Sequence, residues 1–294
     1  MKKPVFTGAG VAIVTPFNET GINYDEFKRI IDHQIENGTD AIIIMGTTGE
    51  SPACPEDEHE EAIAFCCEYV NGRIPVVAGA GSNDTRTAVK LTKSAKASGA
   101  DAVLSVTPYY NKTTQVGLIR HFTAVADCEC PVILYNVPSR TGIGFTAQTY
   151  QELSKHPFIN GAKEASGNFS LLAEAMALCG DEMNFWSGND DQIVPLMSMG
   201  GKGVISVLSN VAPRAAHDIC QFCLDGKFAE AAKMQKEYLD LINALFCEVN
   251  PIPVKKAMEL LGWKVGPVRL PLVEPTAEHT AQIQAALNKM GCKI

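Results

Sequence analysis

Short apolar runs alternate along the chain with longer amphipathic stretches. The apolar runs have the length and β-branched composition of buried strands and occupy residues 10–17, 41–46, 75–81, 102–109, 131–138, 159–166, 184–190 and 203–210. Apolar residues recur at helical spacing between them, for example over 23–37 and over 84–99, where Asp84 caps the start and Gly99 ends the pattern. Eight such units predict an α/β fold, a (β/α)8 TIM barrel.

The last part of the chain has a different pattern. Beyond residue 225 only helical periodicity recurs, over residues 227–246 and 253–262. We therefore predict a catalytic barrel domain over residues 1–225 and a C-terminal helical domain over residues 226–294, with no low-complexity linker between them.

Composition and charge exclude two classes of partner. The chain has 294 residues and a formal net charge of −8, and its lysines and arginines are scattered rather than clustered. Binding to nucleic-acid phosphates requires clustered basic side chains, so we expect no nucleic-acid partner. No apolar run approaches the ~18 residues of a membrane span, so we expect no membrane partner.

The chain start and the cysteines bear on the compartment. Residues 1–17 combine two lysines with an apolar stretch, but threonines, glycines and a proline interrupt it, unlike the core of a signal peptide. We interpret this segment as a strand and its turn and expect a cytoplasmic protein with ten reduced cysteines. Cys220 and Cys223 resemble half of a zinc site, yet no second ligand pair lies at the required spacing, so we expect no metal.

Lys163 is unusual in its surroundings, because it lies in an otherwise apolar run and burial disfavours a charged ammonium. Four residues recur at intervals of 28 along the third to sixth predicted strands: Gly79, Thr107, Tyr135 and Lys163. This spacing predicts that they lie at one height at the mouth of the barrel, where barrel enzymes carry their chemistry. A partly desolvated amine beside the Tyr135 hydroxyl can form a Schiff base with a ketone or aldehyde.

A structural role for Lys163 is an equal alternative on position alone. A lysine at a strand end can extend into solvent or pair with a neighbouring carboxylate, here Glu164. Three other lysines lie in polar or turn-like sequence, and we expect none of them to occupy such a pocket: Lys112, Lys202 and Lys255.

Further strand ends supply groups that fit a keto acid. The segment GTTGES (46–51) places hydroxyls and glycines where backbone N–H groups hold an anion. The segment YNVPSRTG (135–142) carries Arg140, whose planar fork suits a carboxylate, and TPYYNK (107–112) adds two tyrosines. An amine, a hydroxyl relay and two anion sites around one mouth favour a keto-acid lyase or aldolase.

These segments, together with GAKEASGN (161–168), occur in the order and spacing of the dihydrodipicolinate synthase family, which the chain resembles over essentially its whole length. The resemblance implies a barrel with a C-terminal helical domain and no metal or organic cofactor. It also implies condensation of pyruvate with aspartate 4-semialdehyde to 4-hydroxy-tetrahydrodipicolinate, the branch point towards diaminopimelate and lysine.

The resemblance assigns roles to the catalytic residues. Lys163 forms an imine with pyruvate, whose carboxylate is held by the region of Thr47 and Thr48. Tyr135 relays protons and is linked through the Thr47 hydroxyl to Tyr110, which the neighbouring subunit of a tight dimer supplies. We accordingly expect a homo-oligomer, a tight dimer or a tetramer made of two such dimers.

Three more residues of the substrate pocket follow from the resemblance. Arg140 lies at the entrance and binds the carboxylate of the second substrate. Gly188 and Ile205 line the pocket beside the imine, Ile205 through its backbone carbonyl.

An effector cleft for lysine is also implied, because lysine inhibits many relatives between two subunits. The corresponding residues here are Ser51, Pro52, Glu56, His59, Asn83, Thr87 and Tyr109. His59, Asn83 and Tyr109 match lysine-sensitive relatives. Thr87, however, stands where those relatives carry a glutamate, and Glu56 replaces a histidine. We therefore expect weak inhibition by lysine or none.

Two alternatives stay open. Another pyruvate-dependent aldolase of the N-acetylneuraminate lyase or ketodeoxygluconate aldolase type would need polar groups for several hydroxyls and no arginine at position 140. A barrel without catalytic activity, used for binding, would not need the complete set of Lys163, Tyr135, Thr47 and Tyr110.

Overall fold

The computed structural model describes residues 2–291. Eight parallel strands pair in chain order and close into a barrel, which confirms the predicted fold class. The strands are Gly8–Ala12, Ala41–Ile44, Val76–Gly79, Ala102–Val106, Val132–Asn136, Ile159–Glu164, Asn184–Ser187 and Gly203–Ser206. The first strand begins two residues before its predicted run and pairs with the eighth, Gly8 opposite Gly203. The other predicted runs extend past the ends of their strands into the loops that follow.

Helices connect the strands and continue beyond them. They are α1 Tyr24–Glu36, α2 Glu56–Val70, α3 Thr85–Ala97, α4 Gln115–Ala126, α5 Pro138–Thr141, α6 Ala147–Ser154, α7 Phe169–Cys179, α8 Ile193–Ser198, α9 Pro213–Leu224, α10 Phe228–Glu237, α11 Leu239–Ala244, α12 Ile252–Leu260 and α13 Ala277–Lys289. A short hairpin pairs Phe17–Asn18 with Gly21–Ile22 after the first strand.

Side-chain oxygens fix where several helices begin. The Asp84 carboxylate accepts a hydrogen bond from the Arg86 N–H at 3.0 Å, as predicted for the start of α3. Asn168 does the same for α7, accepting from the Leu171 N–H at 3.0 Å. Each such cap contributes about 1 kcal/mol to helix stability.

Two apolar layers follow from the alternation of side chains along the strands. In the fifth strand Ile133 and Tyr135 belong to the interior of the barrel, whereas Val132 and Leu134 pack against the surrounding helices. Inside the barrel the Phe6 ring stacks on Trp186 at 5.1 Å between centroids, so large aromatic side chains fill the interior. The open space of the fold lies instead at the carboxyl ends of the strands.

The C-terminal segment is helical, with two differences from the sequence prediction. The predicted helix over 227–246 divides at Tyr238 into α10 and α11. The helix α13, capped by the Thr276 hydroxyl, was not predicted. The predicted domain boundary at 225/226 falls between α9 and α10, and the division into two domains stays a prediction. Residue 1 and residues 292–294 of those two domains lie outside the described residues.

Within residues 2–291, no helix has both the length and the apolar character needed to cross a membrane.

Candidate active site

A cavity of about 510 Å³ opens at the carboxyl ends of the second to fifth strands. Its lining includes the predicted proton relay Tyr135 and two residues predicted to bind substrate, Thr47 and Arg140. It extends along α2 and α3 to six residues of the predicted effector cleft: Ser51, Pro52, Glu56, His59, Thr87 and Tyr109. One space therefore reaches from part of the predicted substrate site to the predicted effector cleft. Its lining does not include four other predicted site residues: Lys163, Thr48, Gly188 and Ile205.

Lys163 and Tyr135 lie side by side. They are partners in the register of the fifth and sixth strands, and the Lys163 Nζ lies 4.4 Å from the centroid of the Tyr135 ring. Lys163 is only 6% exposed. Thr107, another of the four residues that recur at intervals of 28, is also buried. Its hydroxyl donates a hydrogen bond to the Thr141 hydroxyl at 3.0 Å.

Gly188 makes room for the Lys163 side chain. A Cβ atom at position 188 would lie 3.1 Å from the Lys163 Cε and 2.6 Å from the Ala165 Cβ. Both distances are shorter than ordinary van der Waals contact, so a larger residue would displace the lysine. The prediction placed Gly188 beside the imine, and the structure places it against the lysine stem. Ile205 is buried in the barrel interior with Tyr135.

Glu164 does not pair with Lys163, because neighbouring side chains of a strand face opposite sides of the sheet. The Glu164 carboxylate is buried among the helices, where it accepts hydrogen bonds from the Asn136 amide at 2.9 Å and the Tyr150 hydroxyl at 2.9 Å. The Ser166 N–H donates to it at 2.7 Å. The structural alternative for Lys163 thus loses its proposed partner.

The loop after the second strand presents unused hydrogen-bond donors. The backbone N–H groups of Thr47 and Thr48 donate to no acceptor among residues 2–291. Thr48 is buried, and its hydroxyl accepts a hydrogen bond from the Asn250 side-chain amide at 3.0 Å. Of these two residues Thr47 lines the cavity, and adjacent free N–H groups are a common way to hold an anion.

Glu50 anchors this loop to the C-terminal segment. Its backbone is left-handed, with φ 57°. Its carboxylate accepts hydrogen bonds from the Lys255 Nζ at 2.9 Å and the Arg269 N–H at 2.8 Å. The Lys255 and Glu50 side chains are 3% and 1% exposed, so this is a fully buried ion pair. Burial lowers the pKa of Lys255, and the Glu50 charge opposes that shift. The prediction of a polar or turn-like setting for Lys255 was wrong, because its partner is distant in sequence.

Arg140 lies in the one-turn helix α5 at the edge of the cavity, where it is exposed. One guanidinium N–H donates to the Asn250 backbone carbonyl at 3.2 Å. The remaining N–H groups form no other hydrogen bond to residues 2–291, which leaves most of the fork available to a ligand.

The two tyrosines of the segment 107–112 lie differently. Tyr109 lines the cavity, and its carbonyl accepts from the Asn83 side chain at 3.2 Å, so Asn83 supports the wall of the cleft. Tyr110 is 92% exposed, with a positive φ of 67°, and does not line the cavity of its own chain. The structure therefore does not bring Tyr110 together with Tyr135 and Thr47 within one chain.

Sequence reasoning missed Asp190 and Asn250. Asp190 follows the seventh strand, Asn184–Ser187. It opens a short 3-10 helix, and its carboxylate is buried and accepts from the Val207 and Leu208 N–H groups at 3.0 and 2.9 Å. Burial raises the pKa of Asp190, and the nearby Lys163 charge opposes that shift. An NP dipeptide was the only local signal at Asn250, and it indicates a turn.

No group of three or more metal-ligating side chains exists within residues 2–291. Cys220 and Cys223, which resemble half of a zinc site in the sequence, lie on α9 and are buried in the hydrophobic core of the protein. Burial raises the pKa of Cys223 to about 11, which is a property of a packed thiol rather than a ligand thiolate.

Comparisons with known proteins agree with this geometry. The model of the dihydrodipicolinate synthetase family matches residues 5–290. A 4-hydroxy-tetrahydrodipicolinate synthase of Lachnoclostridium phytofermentans is 53% identical over 290 residues, 98% of this chain and 99% of that protein.

Two solved structures are similar over nearly the whole fold. Dihydrodipicolinate synthase from Cyanidioschyzon merolae with lysine bound has a TM-score of 0.96 and 40% identity, covering 99% of this chain and all of that one. A monomeric dihydrodipicolinate synthase variant has a TM-score of 0.96 and 39% identity, covering 98% of each chain. Because the family model matches residues 5–290 and the relatives span nearly the full length of the chain, the chain belongs to the dihydrodipicolinate synthetase family.

Proposed function

We propose that the chain condenses pyruvate with aspartate 4-semialdehyde to give 4-hydroxy-tetrahydrodipicolinate. The observation that carries the proposal is the buried Lys163 amine beside Tyr135, because Tyr135 lines the same cavity as Thr47, whose N–H group is free. Relatives that align with nearly the whole chain are named 4-hydroxy-tetrahydrodipicolinate synthase, which supports this choice of substrates.

The first half of the reaction uses the free donors and the amine. The pyruvate carboxylate binds at the N–H groups of Thr47 and Thr48, which brings its C2 carbonyl towards Lys163. The Lys163 Nζ attacks C2, and loss of water leaves an imine that bears the pyruvyl group. The imine withdraws electrons from the methyl group, so a methyl proton is lost and an enamine forms.

The second half joins the two substrates. The enamine carbon attacks the aldehyde carbon of aspartate 4-semialdehyde, and the new alkoxide takes a proton through the Tyr135 hydroxyl. Arg140 holds the carboxylate of this second substrate at the entrance. The substrate amine then displaces Lys163 from C2, which closes the ring, frees the lysine and needs no metal or organic cofactor.

Tyr110 completes the proton relay from the neighbouring subunit of a homodimer. Its exposure and its position outside the cavity of its own chain support this arrangement. A tetramer made of two such dimers is the assembly we favour. A monomeric variant exists among the related structures, so the oligomeric state needs direct measurement.

The cytoplasm is the compartment that we assign. Nine cysteines are free within residues 2–291, as expected where thiols are kept reduced.

A comparison of three substrates tests the proposed function. The purified protein should consume pyruvate with aspartate 4-semialdehyde and should not cleave N-acetylneuraminate or ketodeoxygluconate at a comparable rate. Cleavage of either sugar acid without condensation would assign the chain to another pyruvate-dependent aldolase, and no reaction with any of the three would favour a binding protein.

A further inference from the structure

One residue of the C-terminal segment contacts both proposed carboxylate sites. Asn250 lies in the turn between α11 and α12 and is 6% exposed. Its side-chain amide donates to the Thr48 hydroxyl at 3.0 Å, and its backbone carbonyl accepts from Arg140 at 3.2 Å. Thr48 and Arg140 lie on different loops of the barrel, and the described chain has no direct hydrogen bond between them.

The contact with Thr48 is the anchor of this turn. The Asn250 Oδ1 is buried and has no hydrogen-bond partner within residues 2–291, so the bond to Thr48 is the sole polar contact of the side chain. When that bond holds, the Asn250 carbonyl stays where Arg140 can donate to it. The exposed guanidinium is thereby restrained while its remaining N–H groups stay free for a ligand.

We infer that Asn250 is a positioning residue that fixes the distance between the two substrate carboxylate sites. This rests on the proposed function, in which Thr48 lies at the pyruvate carboxylate and Arg140 at the semialdehyde carboxylate. Carbon–carbon bond formation requires both substrates in register, and small misplacements of a reacting group cost large factors in rate. The C-terminal segment then contributes to substrate alignment although its Asn250 touches neither reacting atom.

A second contact keeps the pyruvate side of this arrangement independent of Asn250. The pair of Glu50 and Lys255 holds the same loop from its other end. Loss of the Asn250 side chain should therefore disturb Arg140 more than the free N–H groups of Thr47 and Thr48. This difference separates positioning of the second substrate from a general structural role.

The test measures Asn250→Ala, Thr48→Val and the double variant, with Val249→Ala as control, since Val249 is 54% exposed in the same turn. We expect Asn250→Ala to raise KM for the semialdehyde roughly three- to tenfold, the effect of losing one neutral hydrogen bond. KM for pyruvate and the yield of borohydride-trapped pyruvyl enzyme should stay within about twofold of wild type. Thr48→Val breaks the same bond without shortening Asn250, so the double variant should be no worse than the more affected single variant.

Several results would overturn the inference. They are an unchanged semialdehyde KM in Asn250→Ala, a parallel rise of both KM values, or independent effects that multiply in the double variant. If Asn250→Ala does not fold, Thr48→Val alone must show the selective rise. A wild-type protein that traps pyruvate but fails to condense the semialdehyde would instead refute the proposed function.

Discussion

The Lys163 Nζ lies 4.4 Å from the centre of the Tyr135 ring, and the two residues are register partners on adjacent strands. The distance is set by backbone hydrogen bonds of the sheet rather than by flexible loops. A shift of either strand by one residue would turn its side chain to the other face of the barrel. The amine and the tyrosine therefore keep their relationship in the absence of substrate.

Lys163 should be the residue that borohydride and pyruvate modify. Reduction of the imine fixes a pyruvyl group on the amine, which peptide mass spectrometry locates. Lys163→Ala should give no adduct and abolish turnover. The exposed Lys155, which pairs with Glu152 one helical turn away, offers a control: Lys155→Ala should trap pyruvate like wild type. An adduct on Lys255, the other buried lysine within residues 2–291, would contradict the proposed nucleophile.

The fold and the buried lysine could be recognised from sequence because their signals are local. Each strand has a recognisable apolar pattern over a few residues, and repeated βα units place the carboxyl ends of the strands at one mouth of the barrel. Lys163 stood out because a charge in an apolar strand needs a reason. The predicted equal height of all four spaced residues was less accurate, since Tyr135 and Lys163 pair directly while Gly79 pairs with Leu104.

The anchors of the site could not be predicted in the same way. Lys255 and Glu50 are 205 positions apart, and Asn250 and Thr48 are 202 apart. Each looks unremarkable locally: Lys255 is one charge in an amphipathic helix and Asn250 precedes a proline. Their contacts with Glu50 and Thr48 form only when the C-terminal segment packs against the barrel loops. The role expected for Tyr110 cannot be read from the structure of one chain either, because its expected partner residues lie on another subunit.

The buried pair of Lys255 and Glu50 should be expensive to break. Lys255→Met removes one charge and leaves the Glu50 carboxylate uncompensated in a site with 1% exposure. Removal of one partner of a buried ion pair typically costs about 3–5 kcal/mol of folding free energy. Lys256→Met is the control, since Lys256 pairs with the exposed Glu259 and should cost at most about 1 kcal/mol. Urea unfolding of both variants measures the difference, and equal stability would show that the pair contributes nothing.

Arg140→Ala should impair the use of aspartate 4-semialdehyde but not the binding of pyruvate. Loss of a charge-assisted pair costs about 1.5–3 kcal/mol, which corresponds to roughly ten- to a hundredfold weaker use of the semialdehyde. Pyruvate should still form the trapped adduct, because its carboxylate binds at a different loop. Arg120→Ala, an exposed arginine on α4, serves as the surface control. A collapse of pyruvate affinity with unchanged semialdehyde affinity would mean that the two carboxylate sites are reversed.

Lysine should inhibit this enzyme weakly or not at all, although a related structure holds bound lysine. Thr87 lines the cleft where a carboxylate would be needed for one of the ligand's amines. Glu56 also lines the cleft, but its carboxylate already forms an ion pair with Lys90. An ammonium group brought into a partly desolvated cleft without a counter-charge loses more solvation than it regains, at a cost of about several kcal/mol at worst.

Steady-state rates at millimolar lysine measure the effect, and Thr87→Glu tests its cause. The new carboxylate should introduce inhibition by lysine, whereas Thr87→Gln, with the same length and no charge, should not. Strong inhibition of the wild-type enzyme by submillimolar lysine would contradict the expectation. Glu56 would then have to leave Lys90 and bind the ligand, so Glu56→Gln should remove that inhibition. If Glu56→Gln left it intact, the counter-charge would have to come from outside this chain's cleft, from the neighbouring subunit.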